Sequence, residues 1–238
     1  MVVGTLLERL AEDPQAAALL LDVDGTLAPI APRPELATVP PATRAELERL
    51  AGDYALVGCV SGRPADEAAR LVGVDGIRYV GEHGLELHPD AVEWTARLAA
   101  FAATVEWPAE PGKRLTLSFH YRDAEDERAA ETSLRSVAER AVNEGLRPRW
   151  GRKVLEIRPP LRADKGTAVR GLLREAELDR ALYAGDDATD LDAFRGLDGL
   201  EVAVRVAVVS EEAPNELGRE ADLLVGGPVE LLELLRRL

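Results

Sequence analysis

The sequence predicts an α/β protein in which a parallel-sheet core is interrupted by an inserted α+β segment. Short apolar runs alternate with helical stretches at both ends of the chain, whereas the middle third switches to strict alternation of apolar and polar residues. The length of 238 residues exceeds the usual domain size of roughly 150 residues. A hydrophobic fraction of 46% is enough to build a core and a second, smaller unit.

The first third of the chain predicts alternating strands and helices. Its first strand is a continuous apolar run ending at Asp22, as expected for a strand buried on both faces. The elements in order are the strand Ala16–Leu21, the helix Pro41–Leu50, the strand Tyr54–Val60, the helix Pro64–Val72 and the strand Ile77–Val80. This order predicts a parallel sheet with right-handed crossovers.

The middle third predicts an antiparallel sheet with one helix. Arg114–Arg122 alternates between apolar and polar residues, which is typical of a strand with one buried face. A helix is predicted over Glu125–Glu144, and Arg152–Arg158 is a further strand. We therefore expect an α+β insert within the chain.

The last third returns to the first pattern. The predicted elements are the helix Lys165–Ala176, the strand Ala181–Ala184, the helix start Thr189–Arg195, the strands Leu200–Val206 and Ala221–Val225, and the helix Pro228–Leu238. The expected division is a discontinuous core of residues 1–87 and 161–238, with the insert at residues 88–160.

Composition excludes several classes of partner. The 29 Lys and Arg residues against 43 Asp and Glu residues give a net charge of −14, which disfavours binding to nucleic acid or anionic membranes. The single cysteine, Cys59, excludes a disulfide framework and a multi-cysteine metal site. With neither a signal peptide nor an apolar run of ~20 residues, we expect a cytoplasmic protein. The oligomeric state is left open, with a monomer as the working expectation.

The first chemical motif is the segment DVDGTL, directly after the first buried strand. Ligands of open α/β sheets lie at the carboxyl ends of strands, where Asp22 and Asp24 would face one crevice. One carboxylate can attack while the other moves protons; Gly25 permits a sharp turn and Thr26 adds a hydroxyl. The alternative interpretation is a simple Asx-turn with solvated carboxylates.

A second acidic motif, GDDATD, follows the strand Ala181–Ala184. Asp186, Asp187 and Asp190 would repel one another without a cation, since a unit pair at ~4 Å costs about 4 kcal/mol at an effective dielectric constant of ~20. Oxygen ligands without a His or Cys cluster favour Mg²⁺. Alternatively, Asp187 or Asp190 only caps the next helix, and the sequence does not decide which of the two meets the metal.

Two further segments offer groups that bind phosphate. Ser61, Gly62 and Arg63 follow the second predicted strand, and Lys165 opens a helix. A hydroxyl, a guanidinium fork, an ammonium and helix N-terminal amides suit a phosphate. Each signal alone is weak, because Ser61 could be a helix cap and Lys165 a surface lysine.

These four segments, in this order, resemble the haloacid dehalogenase-like phosphohydrolases. The resemblance implies a Rossmann-like parallel-sheet core of the haloacid dehalogenase type with an inserted α+β cap domain, and Mg²⁺ as cofactor. It implies that Asp22 is the nucleophile and that Asp24 is the general acid and base, with its backbone carbonyl on the metal. Ser61 and Lys165 would then steady the phosphoryl group, and Asp186 and its acidic neighbours would hold the metal.

A narrower resemblance is to the trehalose-6-phosphate phosphatase family. It rests on LDVDGTLAPI, VSGRP, GEHGLEL, SFHYR, GRKVLEIRP, RADKGTA and AGDDATD, which together span most of the chain; Val23 departs from the family's usual aromatic residue. It implies a cap that covers a sugar phosphate. The candidate substrate-binding residues are Gly25, Thr26, Gly62, Arg63, His83, Glu86, Lys113, Arg122, Arg152 and Glu156.

The expected function is therefore Mg²⁺-dependent hydrolysis of a small-molecule sugar phosphate, trehalose 6-phosphate, through an aspartyl phosphate. Sucrose 6-phosphate or a glycosyl-3-phosphoglycerate is an alternative substrate, and a non-catalytic sensor or a phosphotransferring mutase is an alternative class. Four other enzyme classes lack their motifs. The sixth residue after Cys59 is Ala65, which excludes the Cys-x5-Arg of cysteine phosphatases. The motifs GxxxxGK[ST] of P-loop nucleotide hydrolases, HExxH of zincins and GxSxG of α/β-hydrolases do not occur.

Overall fold

The computed structural model describes residues 3–151, 153–210 and 214–238. Its strands are β1 (Ala18–Leu21), β2 (Leu56–Val60), β3 (Arg78–Val80), β4 (Leu117–His120), β5 (Arg147–Gly151), β6 (Val154–Arg158), β7 (Arg180–Gly185), β8 (Val202–Val208) and β9 (Leu223–Val225). Its α-helices are α1 (Val3–Ala11), α2 (Pro41–Asp53), α3 (Ala65–Val72), α4 (Ala91–Ala102), α5 (Glu127–Asn143), α6 (Lys165–Glu175), α7 (Asp190–Gly196), α8 (Asn215–Glu220) and α9 (Pro228–Leu235). Short 3-10 helices cover Pro14–Ala16 and Pro34–Leu36, and Glu82–Leu87 consists of tight turns with a kink at His83 and Gly84.

A six-stranded parallel sheet forms the first of two compact units, which runs to Gly84 and resumes at Ala163. The strand order is β3-β2-β1-β7-β8-β9. All four residues of β1 are fully buried, which explains its unbroken apolar run. Leu21 is level with Cys59 of β2 and Ala184 of β7. The predicted parallel core is confirmed.

Each face of this sheet packs against its own hydrophobic cluster. Leu19 and Leu21 of β1 join one cluster, whereas Ala18 and Leu20 join the other. Side chains alternate between the two faces of a strand, so a doubly covered strand requires apolar residues at every position. The carboxyl ends of β1, β2 and β7 therefore open at one edge of a rigid layer.

The second unit, Leu85–Arg162, is an α+β structure with a three-stranded antiparallel sheet in the order β4-β6-β5. Its register places Glu156 of β6 between Ser118 of β4 and Arg149 of β5. Helix α5 buries one apolar stripe, formed by Ala130, Leu134, Val137, Ala138 and Ala141. The chain divides at residues 84/85 and 162/163, against the 87/88 and 160/161 expected from the sequence.

The predicted strand Arg114–Arg122 is too long, because the structure forms β4 only over its central four residues. Its expected polar face is also partly covered, since Thr116 and Ser118 are buried. The residues before the strand fold back, and Glu110 N–H donates to the Ser118 carbonyl at 2.8 Å. The sequence predicts neither helices α1, α4 and α8 nor strand β5; β5 contains Pro148 and is mostly exposed, so it lacks an alternating pattern.

No helix in the described parts of the chain combines the length and apolar character needed to cross a membrane.

Candidate active site

Adjacent parallel strands bring two acidic motifs together at one edge of the sheet. Asp22 follows β1, and its N–H donates to the carbonyl of Ala184 in β7 at 2.9 Å. Asp186 follows β7, and Asp190 begins α7 one turn later. Within the described chain, Asp22, Asp186 and Asp190 are buried with carboxylate oxygens within 4.8 Å of one another. The structure thus joins segments more than 160 residues apart in sequence.

Gly25 makes this approach sterically feasible. Its φ of +81° lies in the left-handed region, and a Cβ at this position would lie 2.0 Å from Asp186 Oδ2. Thr26 is also buried, with Oγ1 3.4 Å from Asp186 Oδ1. Only glycine therefore allows the turn after β1 to pack directly against the carboxylate after β7.

Lys165 is the cation of the cluster. A capping box begins α6: the Asp164 side chain accepts from Thr167 N–H at 2.7 Å, and Thr167 Oγ1 accepts from Asp164 N–H at 2.9 Å. This places Lys165 at the first helical position with a fixed direction. Its Nζ donates to Asp22 Oδ1 at 2.8 Å and to Asp190 Oδ1 at 2.7 Å.

The ammonium of Lys165 is buried, and its two carboxylate partners favour its charged form. Burial alone would lower its pKa, but the negative charges of Asp190 and Asp22 outweigh that effect and raise it. A buried cation with two carboxylate partners can neutralise charge on a phosphoryl group next to Asp22.

Asp190 accepts four hydrogen bonds. Oδ1 accepts from Lys165 Nζ and from Tyr183 Oη, each at 2.7 Å, and Oδ2 accepts from the N–H groups of Asp186 and Asp187, each at 2.9 Å. Asp187 itself is exposed and accepts from Thr189 Oγ1 at 2.7 Å. Tyr183 was missed by the sequence reasoning, because it lies inside an apolar run and carries no separate signal.

The cluster holds more negative charge than Lys165 can balance. Burial, followed by the charges of Asp190 and Asp186, raises the pKa of Asp22 well above its usual value even though Lys165 lowers it. Burial, followed by the charges of Asp190 and Asp187, raises the pKa of Asp186 to about 7. A divalent cation would relieve this excess, and the all-oxygen donor set suits Mg²⁺.

Asp24 lies in a different environment from Asp22. Its side chain is 43% exposed, and it accepts from Arg63 Nε at 2.6 Å and from Arg63 Nη2 at 2.8 Å. The guanidinium also contacts Glu67 of α3 and donates to the Pro34 carbonyl at 3.0 Å. Arg63 thus ties the loop after β1 to the start of α3, and it connects the first and second predicted motifs.

Ser61 and His83 lie around the Gly62 peptide. Ser61 is buried, and its Oγ accepts from Arg63 N–H at 3.1 Å. His83 has a left-handed φ of +57°, and its ring fills the space beside Gly62, where a Cβ would lie 2.8 Å from His83 Cε1. His83 therefore packs against the second motif, a position that the sequence left open between hinge, core and substrate contact.

The remaining predicted residues belong to the second unit. Lys113 Nζ donates to Ser118 Oγ and contacts Glu110 Oε2, both at 3.0 Å, and Glu110 Oε2 also lies 3.1 Å from His120 Nε2. Burial would raise the pKa of Glu110, but the hydrogen bond with His120 and the charge of Lys113 lower it to about 2. Glu110 and His120 were not among the predicted candidates; the spacing of Glu110 and Lys113 was the available signal.

The other candidate residues of this unit are only partly buried or are exposed. Glu156 is half-buried in β6, Arg122 is exposed in the turn after β4, and Glu86 is half-buried in the kinked segment Glu82–Leu87. Arg152 lies outside the described residues. The structure therefore joins Lys113 to a polar cluster, places Glu156 opposite Ser118 in the sheet and leaves Arg122 in the turn after β4.

Comparison with known proteins places these features in a family. The family model described as trehalose-phosphatase matches residues 20–110 and 112–220. A trehalose-phosphate phosphatase of Mycobacterium marinum is 35% identical over 213 residues, which is 79% of this chain and 54% of that protein. Trehalose 6-phosphate phosphatase RA3 of Zea mays is 29% identical over 255 residues, which is 92% of this chain and 69% of that protein.

Solved structures agree on the fold. A crystal form of Aspergillus fumigatus trehalose-6-phosphate phosphatase matches with a TM-score of 0.67 and 25% identity, covering 100% of this chain and 97% of that one. The C-terminal domain of the C. albicans trehalose-6-phosphate phosphatase matches with a TM-score of 0.70 and 22% identity, covering 99% and 96%. The chain spans about half the length of the mycobacterial phosphatases that it matches, 54% for those of Mycobacterium marinum and Mycobacterium ulcerans.

Proposed function

This chain belongs to the trehalose-phosphatase family, and on that premise we propose that it hydrolyses trehalose 6-phosphate to trehalose and phosphate. The observation that carries the proposal is the buried Asp22 carboxylate, held by Lys165 Nζ at 2.8 Å beside a second acidic motif. Asp24 lies two residues further on, with its side chain reaching solvent. A nucleophile, a proton carrier and a buried cation are the groups that phosphoryl transfer through a carboxylate requires.

In the proposed first step, a carboxylate oxygen of Asp22 attacks phosphorus, and the bond between phosphorus and the sugar oxygen breaks. Lys165 holds Oδ1 of Asp22, which leaves Oδ2 to attack. Asp24 gives its proton to the departing sugar oxygen. In the second step Asp24 takes a proton from water, and the resulting nucleophile releases phosphate from Asp22. Asp22 is thereby regenerated as the carboxylate and Asp24 as the protonated acid that the first step requires.

Mg²⁺ is the proposed cofactor. The residues that would hold it are Asp22, Asp186 and the backbone carbonyl of Asp24, with Asp187 as a further candidate. When bound, Mg²⁺ supplies positive charge that lets an anionic phosphate approach anionic carboxylates. Asp190 is the least suitable of the acidic residues, because all four of its acceptor positions are occupied by protein donors.

The second unit is proposed to select the sugar as a cap. Glu156 can accept hydrogen bonds from paired sugar hydroxyls, and Lys113 or Arg122 can donate to sugar or phosphate oxygens. Glu110 and His120 extend this polar cluster next to Lys113. Specificity for one sugar phosphate would then lie in this unit, and the chemistry would lie in the first.

Phosphate release from a substrate panel tests the proposal. The panel holds trehalose 6-phosphate, sucrose 6-phosphate, glucose 6-phosphate and mannosyl-3-phosphoglycerate, each with Mg²⁺ and with an EDTA control. We expect EDTA-sensitive release with a strong preference for trehalose 6-phosphate. Preference for another member would overturn the assigned sugar but keep the chemistry, and no release from any member would overturn the phosphatase proposal.

Asp22→Asn is expected to abolish turnover, because an amide cannot form the covalent intermediate. The matched control is Asp66→Asn, which neutralises a carboxylate on the exposed side of α3. Phosphate release should stop in the first variant and stay at the wild-type rate in the second. Retention of more than a few per cent of turnover by Asp22→Asn would contradict the nucleophile assignment.

A further inference from the structure

Tyr183 is a buried polar group with no role in the mechanism above. It lies in the middle of β7, its side chain is fully buried, and its ring packs edge-to-face on Phe194 of α7 with centroids 6.2 Å apart. Its hydroxyl donates to Asp190 Oδ1 at 2.7 Å. A strand in a doubly covered sheet normally carries apolar residues at such a position, so the hydroxyl requires an explanation.

We propose that Tyr183 is a positioning residue for phosphoryl transfer, acting through Asp190 on Lys165 and so on the nucleophile Asp22. The inference rests on the proposed function, since it assigns a part in that reaction. The chain of contacts is short and continuous: Tyr183 Oη to Asp190 Oδ1 at 2.7 Å, Asp190 Oδ1 to Lys165 Nζ at 2.7 Å, and Lys165 Nζ to Asp22 Oδ1 at 2.8 Å.

Asp190 suits this role because four hydrogen bonds fix the orientation of its carboxylate. An ionised carboxylate has about four acceptor positions, and the structure fills all four with donors from different elements. Tyr183 reaches it from β7, two backbone N–H groups reach it from the following loop, and Lys165 reaches it from α6. A Cβ on Gly185 would lie 2.2 Å from Asp190 Cγ, so the backbone closes the remaining side.

The phenol supplies a donor without adding charge. The site already carries excess negative charge, and a second buried cation at this point would compete with Lys165 for Asp190. A tyrosine hydroxyl instead occupies the second acceptor position of Oδ1 and leaves the ammonium of Lys165 shared between Asp190 and Asp22. Removal of the hydroxyl leaves that oxygen with one donor and frees Lys165 to move.

A competing explanation is that Asp190 serves the metal. Its oxygens lie within 4.8 Å of those of Asp22 and Asp186, so distance alone does not separate the two roles. The two explanations differ in what Tyr183 affects. If Asp190 positions Lys165, removal of the Tyr183 hydroxyl lowers the rate of the chemical step without changing Mg²⁺ affinity. If Asp190 holds the metal, the same change lowers the rate and the Mg²⁺ affinity together.

The test compares Tyr183→Phe with Tyr79→Phe in the full-length protein. Tyr79 belongs to β3 of the same sheet, and its hydroxyl donates to the Val74 carbonyl at 2.8 Å, so each variant deletes one hydroxyl and one hydrogen bond. Measurements are kcat and KM for trehalose 6-phosphate and for p-nitrophenyl phosphate, which has no sugar. Calorimetry gives the Mg²⁺ dissociation constant without substrate.

We expect Tyr183→Phe to lower kcat about 10-fold on both substrates, because a misplacement of ~1 Å in a catalytic group can cost up to ~10²-fold. KM and the Mg²⁺ dissociation constant should stay within about twofold of wild type, since the binding groups are retained. Tyr79→Phe should leave kcat within about twofold.

Three results would overturn the inference. The first is an unchanged kcat in Tyr183→Phe, and the second is a loss of Mg²⁺ affinity in that variant in proportion to its loss of kcat. The third is a loss of kcat in Phe194→Leu as large as that in Tyr183→Phe, because Phe194→Leu removes the ring contact but keeps the tyrosine hydroxyl. The last variant separates packing from positioning if Tyr183→Phe is poorly stable. A wild-type protein inactive on every phosphate would instead refute the proposed function, and the inference with it.

Discussion

Asp22 and Asp24 are two residues apart, yet their surroundings suit them to different tasks. Asp22 is buried, and its hydrogen bond from Lys165 fixes one of its two oxygens. Asp24 is 43% exposed and bound to the guanidinium of Arg63. A nucleophile benefits from a fixed, dry position, whereas a proton carrier must reach both the leaving group and water. Burial therefore supports the proposed division of roles.

Gly25→Ala should disrupt the site, and Gly76→Ala is its matched control. Both glycines have a φ near +80°, so each alanine should lower stability by about 1–3 kcal/mol through backbone strain. Only at Gly25 would the new Cβ meet a carboxylate, whereas Gly76 has open space around it. Thermal unfolding should show a loss for both variants, larger for Gly25→Ala because of the added clash, and phosphate release should collapse only for Gly25→Ala. Equal activity in the two would contradict the close packing of Gly25 on Asp186.

At the scale of elements, the N-terminus of α6 decides where the buried cation points. Asp164 and Thr167 satisfy the first backbone groups of the helix, and Lys165 leaves the helix at its first residue toward the carboxylates. The same stretch packs tightly on α7, since a Cβ on Gly166 would lie 2.1 Å from the Asp192 carbonyl. The cap and the close packing together fix the backbone of Lys165, so that the direction in which its long side chain leaves the helix is set by the fold.

Asp164→Ala should therefore reduce both stability and turnover. Loss of an N-cap costs about 1 kcal/mol, and a displaced Lys165 should lower kcat by about 10-fold or more. Asp126→Ala is the control, because Asp126 caps α5 through Arg128 N–H and Ala129 N–H but positions no proposed catalytic group. Denaturant unfolding and steady-state kinetics check both effects. A full loss of turnover in the control would contradict this assignment.

The second unit carries a pH-dependent contact at the segment before β4. The pKa of Glu110 is lowered to about 2 from the ordinary 4.5 by His120 and Lys113, against the opposing effect of burial. A lowered pKa stabilises the fold fully above pH 4.5, and this stabilisation is lost as the pH falls toward 2.

Glu110→Gln should thus cost about 2 kcal/mol at pH 7, a value reduced for partial solvent screening. The difference from wild type should shrink as the pH falls from 5 to 3. Denaturant unfolding at several pH values measures it, with Glu131→Gln on α5 as an exposed control expected to show little effect at any pH. A pH-independent difference would contradict the ionic origin of the contact.

The molecule as a whole is acidic, and the cations at the proposed active site offset only part of the negative charge there. The net charge is −14, which opposes the approach of a phosphate ester. Lys165 and Arg63 supply positive charge from within the first unit, and the proposed Mg²⁺ would add two more. The long-range field thus opposes the substrate, and the contacts at the carboxyl ends of β1, β2 and β7 must overcome it.

The two-unit organisation predicts that the first unit folds by itself. A Cβ on Gly84 would lie 2.7 Å from the Asp164 carbonyl, so the chain leaves and re-enters this unit at nearly the same point. Replacing residues 85–162 with a linker of about four residues should give a cooperative unfolding transition and Mg²⁺-dependent hydrolysis of p-nitrophenyl phosphate. Preference for trehalose 6-phosphate should disappear. An unfolded product, or retained preference, would contradict this organisation.

The sequence by itself determined the parallel core and the order of its strands, because strands buried on both faces leave continuous apolar runs. It also singled out Asp22, Asp24, Ser61, Lys165 and Asp186 as candidates, since these follow core strands or open a helix in short motifs. It did not locate β5, whose exposed residues and Pro148 carry no such pattern. It also missed Tyr183 and Glu110, whose roles depend on partners supplied by the fold.

Only the tertiary structure decided which of these groups touch. Lys165 meets Asp22 across 143 positions of sequence, and Arg63 meets Asp24 across 39. Asp190, left open in the sequence between metal ligand and helix cap, is occupied by four protein donors. Hydrophobic patterning acts over a few neighbouring residues, whereas hydrogen bonds and charge balance depend on distances that exist only after the strands have aligned.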